Sequence, residues 1–132
     1  MKYINKSLFI EKTKVENIAK KFGTPIYCYS YKQLKENISN FKKNFESFSP
    51  LICFAIKSNT NLNLIREIRK FGLGADVVSM GELMMALKAG INPRKIVFSG
   101  VGKTSNEISY AIDKKILLIN AESKSEINEI ER

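Results

Sequence analysis

The sequence predicts an α/β fold around a parallel sheet, either a doubly wound sheet or part of a β/α (TIM-type) barrel. Two observations carry this. From residue 24 onward, short apolar runs alternate with amphipathic stretches. The runs begin at residues 51, 75, 96 and 116, a βα period of roughly twenty to twenty-four residues, which implies parallel strands joined by crossover helices. A closed eight-stranded barrel takes about 250 residues. Four units and an N-terminal extension over residues 1–23 therefore amount to half of one, spanning residues 24–132.

Taken in order, Tyr3, Ile4, Leu8, Phe9 and Ile10 precede an amphipathic stretch ending at Phe22, all outside the repeat and expected to pack elsewhere. Thr24–Tyr29 is a β-rich run behind a Gly-Thr-Pro break. Leu34, Ile38, Phe41, Phe45 and Phe48 recur at spacings of four and three, which predicts one buried helical face. Ser49-Pro50 stops that helix, and residues 51–56 read as a buried strand. Leu64, Ile65, Ile68 and Phe71 mark the next helix, closed by Gly72-Leu73-Gly74. Residues 75–78 form the second strand, and the helix from Gly81 to Ala89 ends at Gly90 and Asn92-Pro93. The third strand is 96–99, followed by a helix bearing Ile108, Ala111 and Ile112. The fourth strand is 116–119, and Ile127 and Ile130 open a helix without a terminator, as expected of a chain that stops mid-domain.

The formal charge of +9 invites a nucleic-acid reading. Against it, the lysines are scattered, arginine is scarce, and no basic stripe interleaves with aromatics. Cys28 and Cys53 lie far apart in apolar stretches and read as buried free thiols; no metal site is expected, because the chain has no histidine. Apolar runs are far too short to span a bilayer and the N-terminus lacks a signal-peptide core, so a cytoplasmic protein is expected. Gly102-Lys103-Thr104 imitates the end of a phosphate-binding loop, but Val97 stands where the earlier glycine is required. Gly72-Leu73-Gly74 precedes a strand, whereas a dinucleotide fingerprint follows one.

Lys57 ends the apolar run Leu51–Ile56 and precedes Ser58-Asn59. A lysine at the mouth of a buried strand is expected to be partly desolvated, which frees its neutral amine for a Schiff base with an aldehyde such as pyridoxal phosphate. The plainer reading is a lysine snorkelling from a strand end. Strand alternation puts Lys57 on the side of Ala55 and Cys53, with Phe54 and Ile56 opposite. Small neighbours leave room for a flat ring there. Asp76, among alanine and valine, needs a partner for its carboxylate. That partner is a neighbouring cation or cofactor, or else the residue is capped or faces solvent.

The stretch FAIKSNTNLNLIREIRKFG, residues 54–72, resembles the cofactor-attachment segment of the diaminopimelate, ornithine and arginine decarboxylase family. GADVVSMGELMMALKAGI at 74–91 is similar to that family's second barrel unit. VFSGVGKTSNEI at 97–108 and IEKTKVENIAKKFGTPIYCYS at 10–30 resemble its diaminopimelate branch. The resemblance implies a barrel binding pyridoxal 5'-phosphate, a following β-rich domain, a homodimer, and decarboxylation of meso-diaminopimelate to L-lysine. It makes Lys57 the catalytic, cofactor-bearing residue, with Ala55 lining the ring and Asp76 and Glu82 near the cofactor. A sister decarboxylase for ornithine, arginine or carboxynorspermidine, or a non-catalytic half-barrel carrying the cofactor, are the alternatives. The family's ring-stacking histidine, glycine-rich phosphate loops, acid at the pyridine nitrogen and substrate-binding groups have no counterpart here. The chain is therefore expected to be the N-terminal part of the enzyme, inactive alone.

Overall fold

A computed structural model describes residues 1–131. The chain divides into two compact units, Met1–Ser49 and Pro50 onward.

In the first unit, β1 (Lys2–Ile4), β2 (Ser7–Ile10) and β3 (Thr13–Lys14) form an antiparallel meander, with Ile4 paired to Ser7 and Ile10 to Thr13. Asn5 and Lys6 both take positive φ, the backbone that a two-residue hairpin turn requires and asparagine tolerates well. Helix α1 (Val15–Phe22) ends at Gly23, whose φ of 82° has no side chain to oppose it. Residues 25–30 are in neither sheet, so the β-rich run there is without a ladder partner among the described residues.

Helix α2 (Tyr31–Asn44) is capped by Ser30, whose hydroxyl accepts from the Gln33 N–H. The Glu11 carboxylate, at the β2–β3 turn, accepts from Ser30 Oγ (2.8 Å) and the Lys32 N–H (2.9 Å), fastening the meander to the start of α2. The predicted buried face of α2 is corrected here. Ile38 is buried, but Phe41, Phe45 and Phe48 are exposed. Helix α2 ends at Asn44, so Phe48 falls in a separate 3-10 turn, Glu46–Phe48, while Phe41 and Phe45 stack on each other at 4.9 Å.

The second unit is a four-stranded parallel sheet in sequence order: β4 (Cys53–Ala55), β5 (Gly74–Val77), β6 (Ile96–Phe98) and β7 (Leu118–Ile119). Between them run α3 (Leu62–Lys70), α4 (Met80–Lys88) and α5 (Ser105–Asp113), and α6 (Lys124–Glu131) follows β7. Sequential parallel pairing is what the twenty-odd-residue period requires. Strands β4, β6 and β7 are one to three residues shorter than their apolar runs, and β5 is as long as its run but begins one residue earlier, at Gly74.

One sheet face is dry. Ala75, Val77, Ile96 and Phe98 are fully buried, with Ile65 from α3, Leu83 and Ala86 from α4 and Ala111 from α5. Small residues alternate with large ones across this layer, which lets the helices lie close to the strands. The other face carries Cys53, Ala55, Asp76 and Val97, all half-buried, and Leu118, which is 50% exposed. Ala55, Asp76, Val97 and Leu118 are register partners and so form one row across all four strands.

Gly74 sits where β5 passes closest to its neighbours. A Cβ there would strike the Lys95 carbonyl and lie 2.9 Å from Cys53 Sγ. Backbone cannot yield as a flexible side chain can. Gly74→Ala is therefore expected to destabilise the chain by about 1–3 kcal/mol, the usual size of an overpacking penalty. Urea unfolding of the two proteins measures it.

Candidate functional site

Parallel strands in sequence order send every βα connection to the same edge of the sheet, and the chemistry-bearing side chains gather there. Lys57 is the first of them. Strand β4 stops at Ala55, and residues Ile56–Ser58 turn as a 3-10 helix. Ser58 Oγ donates to the Ala55 carbonyl (2.7 Å) and the Asn59 N–H to the Ile56 carbonyl (2.9 Å), closing the turn. Asn59 Oδ1 then accepts from the Asn61 N–H, and Asn61 caps α3 through the N–H groups of Asn63 and Leu64. The serine and asparagines after the lysine thus shape the connection that presents it.

The turn buries Ile56 completely and leaves Lys57 exposed. The expectation of a partly desolvated lysine is corrected by this geometry: strand alternation does not continue through residue 57, and the 3-10 turn carries it past the sheet edge. Ala55 remains on the open face, as expected.

Asp76 lies beside Ala55 in the register, on that same open face. Its Oδ1 accepts a 2.6 Å hydrogen bond from Ser99 Oγ, and Asn120 Nδ2 donates to Ser99 Oγ at 3.1 Å. Asp76 is thus a hydrogen-bonded carboxylate rather than a capping residue. Burial, and secondarily the Asp76 charge, push the Cys53 thiol above its ordinary range, so Cys53 stays a neutral, unreactive neighbour. Neither cysteine is in a disulfide, and no cluster of metal-binding side chains occurs among the described residues.

Glu82 stands in the first turn of α4. Its Oε2 accepts from the Val78 N–H (2.9 Å), while Ser79 Oγ accepts from the Glu82 N–H. This arrangement recurs in the next two units. Ahead of α5, Thr104 and Glu107 form a reciprocal capping box, and Glu107 Oε1 also takes the Met80 N–H of α4. Ahead of α6, Ser123 Oγ accepts from the Glu126 N–H, and Glu126 accepts from the N–H groups of Glu122 and Lys103. A Ser/Thr-x-x-Glu signature at 79–82, 104–107 and 123–126 announces all three caps in the sequence, and is the signal that would have found Glu107 and Glu126.

Lys103, in the false phosphate loop, is a buried cation. Its Nζ donates to the Gly100 and Asn120 carbonyls (2.6 and 2.7 Å) and lies 3.3 Å from both oxygens of Glu126. The pair's side chains are 2% and 6% exposed. It therefore ties the connection after β6 to the one after β7.

For a pyridoxal group, the chemistry of these side chains fits the aldehyde end: an exposed primary amine, a small side chain at Ala55, and an oriented carboxylate at Asp76. The starts of α4, α5 and α6 disfavour the phosphate end. One first-turn N–H at each, those of Glu82, Glu107 and Glu126, already serves Ser79, Thr104 and Ser123, and the three glutamate carboxylates at the same ends repel an anion.

Residues 31–132 match the family model described as pyridoxal-dependent decarboxylase, pyridoxal binding domain. Diaminopimelate decarboxylase of Aquifex aeolicus is 44% identical over 97% of this chain and 30% of its own length. That of Helicobacter pylori strain J99 is 45% identical over 88% of this chain and 29% of its own. The chain thus spans about a third or less of the curated relatives it matches. The crystal structure of diaminopimelate decarboxylase from M. jannaschii in complex with L-lysine superposes with a TM-score of 0.91 at 37% identity, covering 94% of this chain and 30% of that one. The H. pylori enzyme complexed with L-lysine gives 0.84 at 43% identity, covering 88% and 29%.

Two tests follow from the buried pair and the caps. Lys103→Met strands the Glu126 carboxylate in the interior and is expected to cost about 3–5 kcal/mol in denaturant unfolding. Hydrogen bonds from Thr104 and Met80 hold Glu107, and those from Glu122 and Lys103 hold Glu126, below the ordinary glutamate value of 4.5. A depressed folded-state pKa gives stability that is complete above the unfolded value and lost as pH falls through the folded one. Acid unfolding monitored by circular dichroism should therefore show stability declining below about pH 4.5, and less steeply in Glu107→Gln.

Proposed function

The chain belongs to the pyridoxal-dependent decarboxylase family through its pyridoxal-binding domain, and on that premise we propose that it serves the decarboxylation of meso-diaminopimelate to L-lysine. The observation that carries this reading is the placement of Lys57. It is an exposed amine on the turn after β4, at the sheet edge where the other connections converge. Identity of 44–45% to diaminopimelate decarboxylases supports the substrate. Pyridoxal phosphate, when bound, supplies a conjugated ring that takes up the electron pair left by the departing carboxylate.

The residues of this chain have distinct parts in that reaction. Lys57 would hold the cofactor by its aldehyde carbon and would yield that carbon to an incoming substrate amine. Access from solvent suits this exchange, since the incoming amine must reach the same atom. Ala55 leaves space for the ring on the open face. Asp76 supplies a hydrogen-bonded carboxylate on the strand beside the one that leads to the lysine. Glu82 acts through the backbone: its carboxylate fixes Val78 and so the connection that follows Asp76.

We read residues 24–132 as the N-terminal half of the barrel and 1–23 as its extension, working in a cytoplasmic homodimer. Groups that grip the phosphate, stack on the ring and read the substrate are assigned outside these residues. The 132 residues alone should accordingly bind the cofactor weakly and form no lysine.

Borohydride reduction after adding pyridoxal phosphate, followed by peptide mapping, tests the reading. Label is expected to concentrate on Lys57 and to vanish in Lys57→Ala. Label spread evenly over the eighteen lysines would contradict it. Release of lysine from meso-diaminopimelate by the chain alone would overturn the expectation of inactivity.

A further inference from the structure

We propose that the edge of the sheet opposite Lys57 carries an oxyanion site: a cleft at the ends of α3 and α4 that takes a phosphate dianion, free or as a small monoester. The inference does not depend on the reading of Lys57.

The cleft measures about 290 Å³. It is lined by Arg69 and Lys70 from the last turn of α3, by Gly72 and Gly90 at the two helix stops, and by Asn92 and Lys95 on the connection into β6. Among the described residues no carboxylate lines it. Glu67 lies 2.7 Å from Lys70 Nζ and neutralises that lysine. Arg69 and Lys95 are in no ion pair among the described residues.

Both cations are held where they stand. Lys95 is half-buried, and its Nζ donates to the Gly72 carbonyl at 3.0 Å. Arg69 lies across Gly90, where an added Cβ would meet Nη1 at 3.0 Å and Cδ at 3.5 Å. The φ of 84° at Gly90 favours glycine, so that surface stays bare. Asn92 Oδ1 accepts the Arg94 N–H at 2.9 Å, which leaves its amide nitrogen as a donor. Lys95 spends one of three ammonium donors on Gly72, and no acceptor among the described residues takes the Arg69 guanidinium. Three side chains thus offer donors to one cleft. The oxygens of a tetrahedral dianion are complementary acceptors, and a guanidinium fork suits them.

Cations near helix C-termini ordinarily offset the helix dipole. Here the backbone has already closed most of those carbonyls. The Gly72 N–H donates to the Arg69 carbonyl, and the Phe71 N–H to those of Glu67 and Ile68. At the end of α4, the Ala89, Gly90 and Ile91 N–H groups close the Met85, Leu87 and Ala86 carbonyls. Two helix ends together amount to about one negative charge. Arg69 and Lys95 exceed that, so positive charge remains for a ligand.

Nuclear magnetic resonance titration of the isotope-labelled full chain with inorganic phosphate, at constant ionic strength, tests the site. The Gly72, Gly90 and Asn92 amide resonances should move together and saturate at millimolar phosphate. Sodium chloride at the same ionic strength should leave them in place. Arg69→Gln and Lys95→Gln should each weaken binding roughly threefold, and the double variant about tenfold, as loss of exposed charge pairs does. Lys124→Gln removes the same charge at the start of α6, on the other edge, and should leave the midpoint unchanged. Methyl phosphate separates the sources: tighter binding than inorganic phosphate assigns the cleft to a monoester, and weaker binding to the free ion. Shifts that never saturate, or that chloride reproduces, overturn the inference. So does an unchanged midpoint in Arg69→Gln, whose guanidinium bonds nothing else among the described residues and so reads the site without disturbing the fold.

Discussion

Parallel pairing of four strands in sequence order is the constraint on which the second unit depends. It places Cys53, Gly74, Ile96 and Leu118 at or near the start of the ladder and delivers the residues after Ala55, Val77, Phe98 and Ile119 to one edge. The helices cover one face because Ala75, Val77, Ile96 and Phe98 offer it a dry surface. The opposite face keeps its small and polar residues. Asp76, Ser99 and Asn120 are separated widely in sequence, and the register brings them into one hydrogen-bonded chain.

That edge concentrates helix N-termini, each with backbone N–H groups in need of acceptors. The chain satisfies several of them internally, those of Met80, Glu82, Glu107 and Glu126 among them. Glu82, Glu107 and Glu126 repeat one solution in three successive units, and the last two reach back to the preceding connection. The connections are thus fastened to each other as well as to their own helices. Lys103 and Glu126 complete this at the fourth strand, where a buried charge pair is tolerable because the lysine has two carbonyls and a carboxylate around it. The same fastening, with a glutamate at each of these three helix starts, disfavours an added anion there.

Much of this was legible in the sequence, since the βα period, the helix stops and the lysine-centred segment depend on local pattern. The small side chain at Ala55 and the burial of Ile56 also follow from alternation. What escaped it depended on three dimensions. Alternation breaks at the 3-10 turn, so Lys57 is exposed instead of desolvated. Helical spacing identifies a common face but not whether anything covers it, which is why Phe41, Phe45 and Phe48 are exposed. Asp76 and Ser99 are twenty-three residues apart, and their bond is set by a strand register that no local pattern encodes. The pairing of Lys103 with Glu126, twenty-three residues on, likewise needed the fold to be seen. The three caps are a different case: their Ser/Thr-x-x-Glu spacing was present in the sequence throughout.

On the function proposed above, the cofactor's reactive end sits at the edge where β4 and β5 finish, beside Lys57. A crystal structure of the chain grown with pyridoxal 5'-phosphate tests that placement most directly. Density continuous with Lys57 Nζ, with its ring over Ala55 and the Asp76 carboxylate beside it, is the expected result. Density joined to another lysine, or lying on the helix-covered face, would contradict the account.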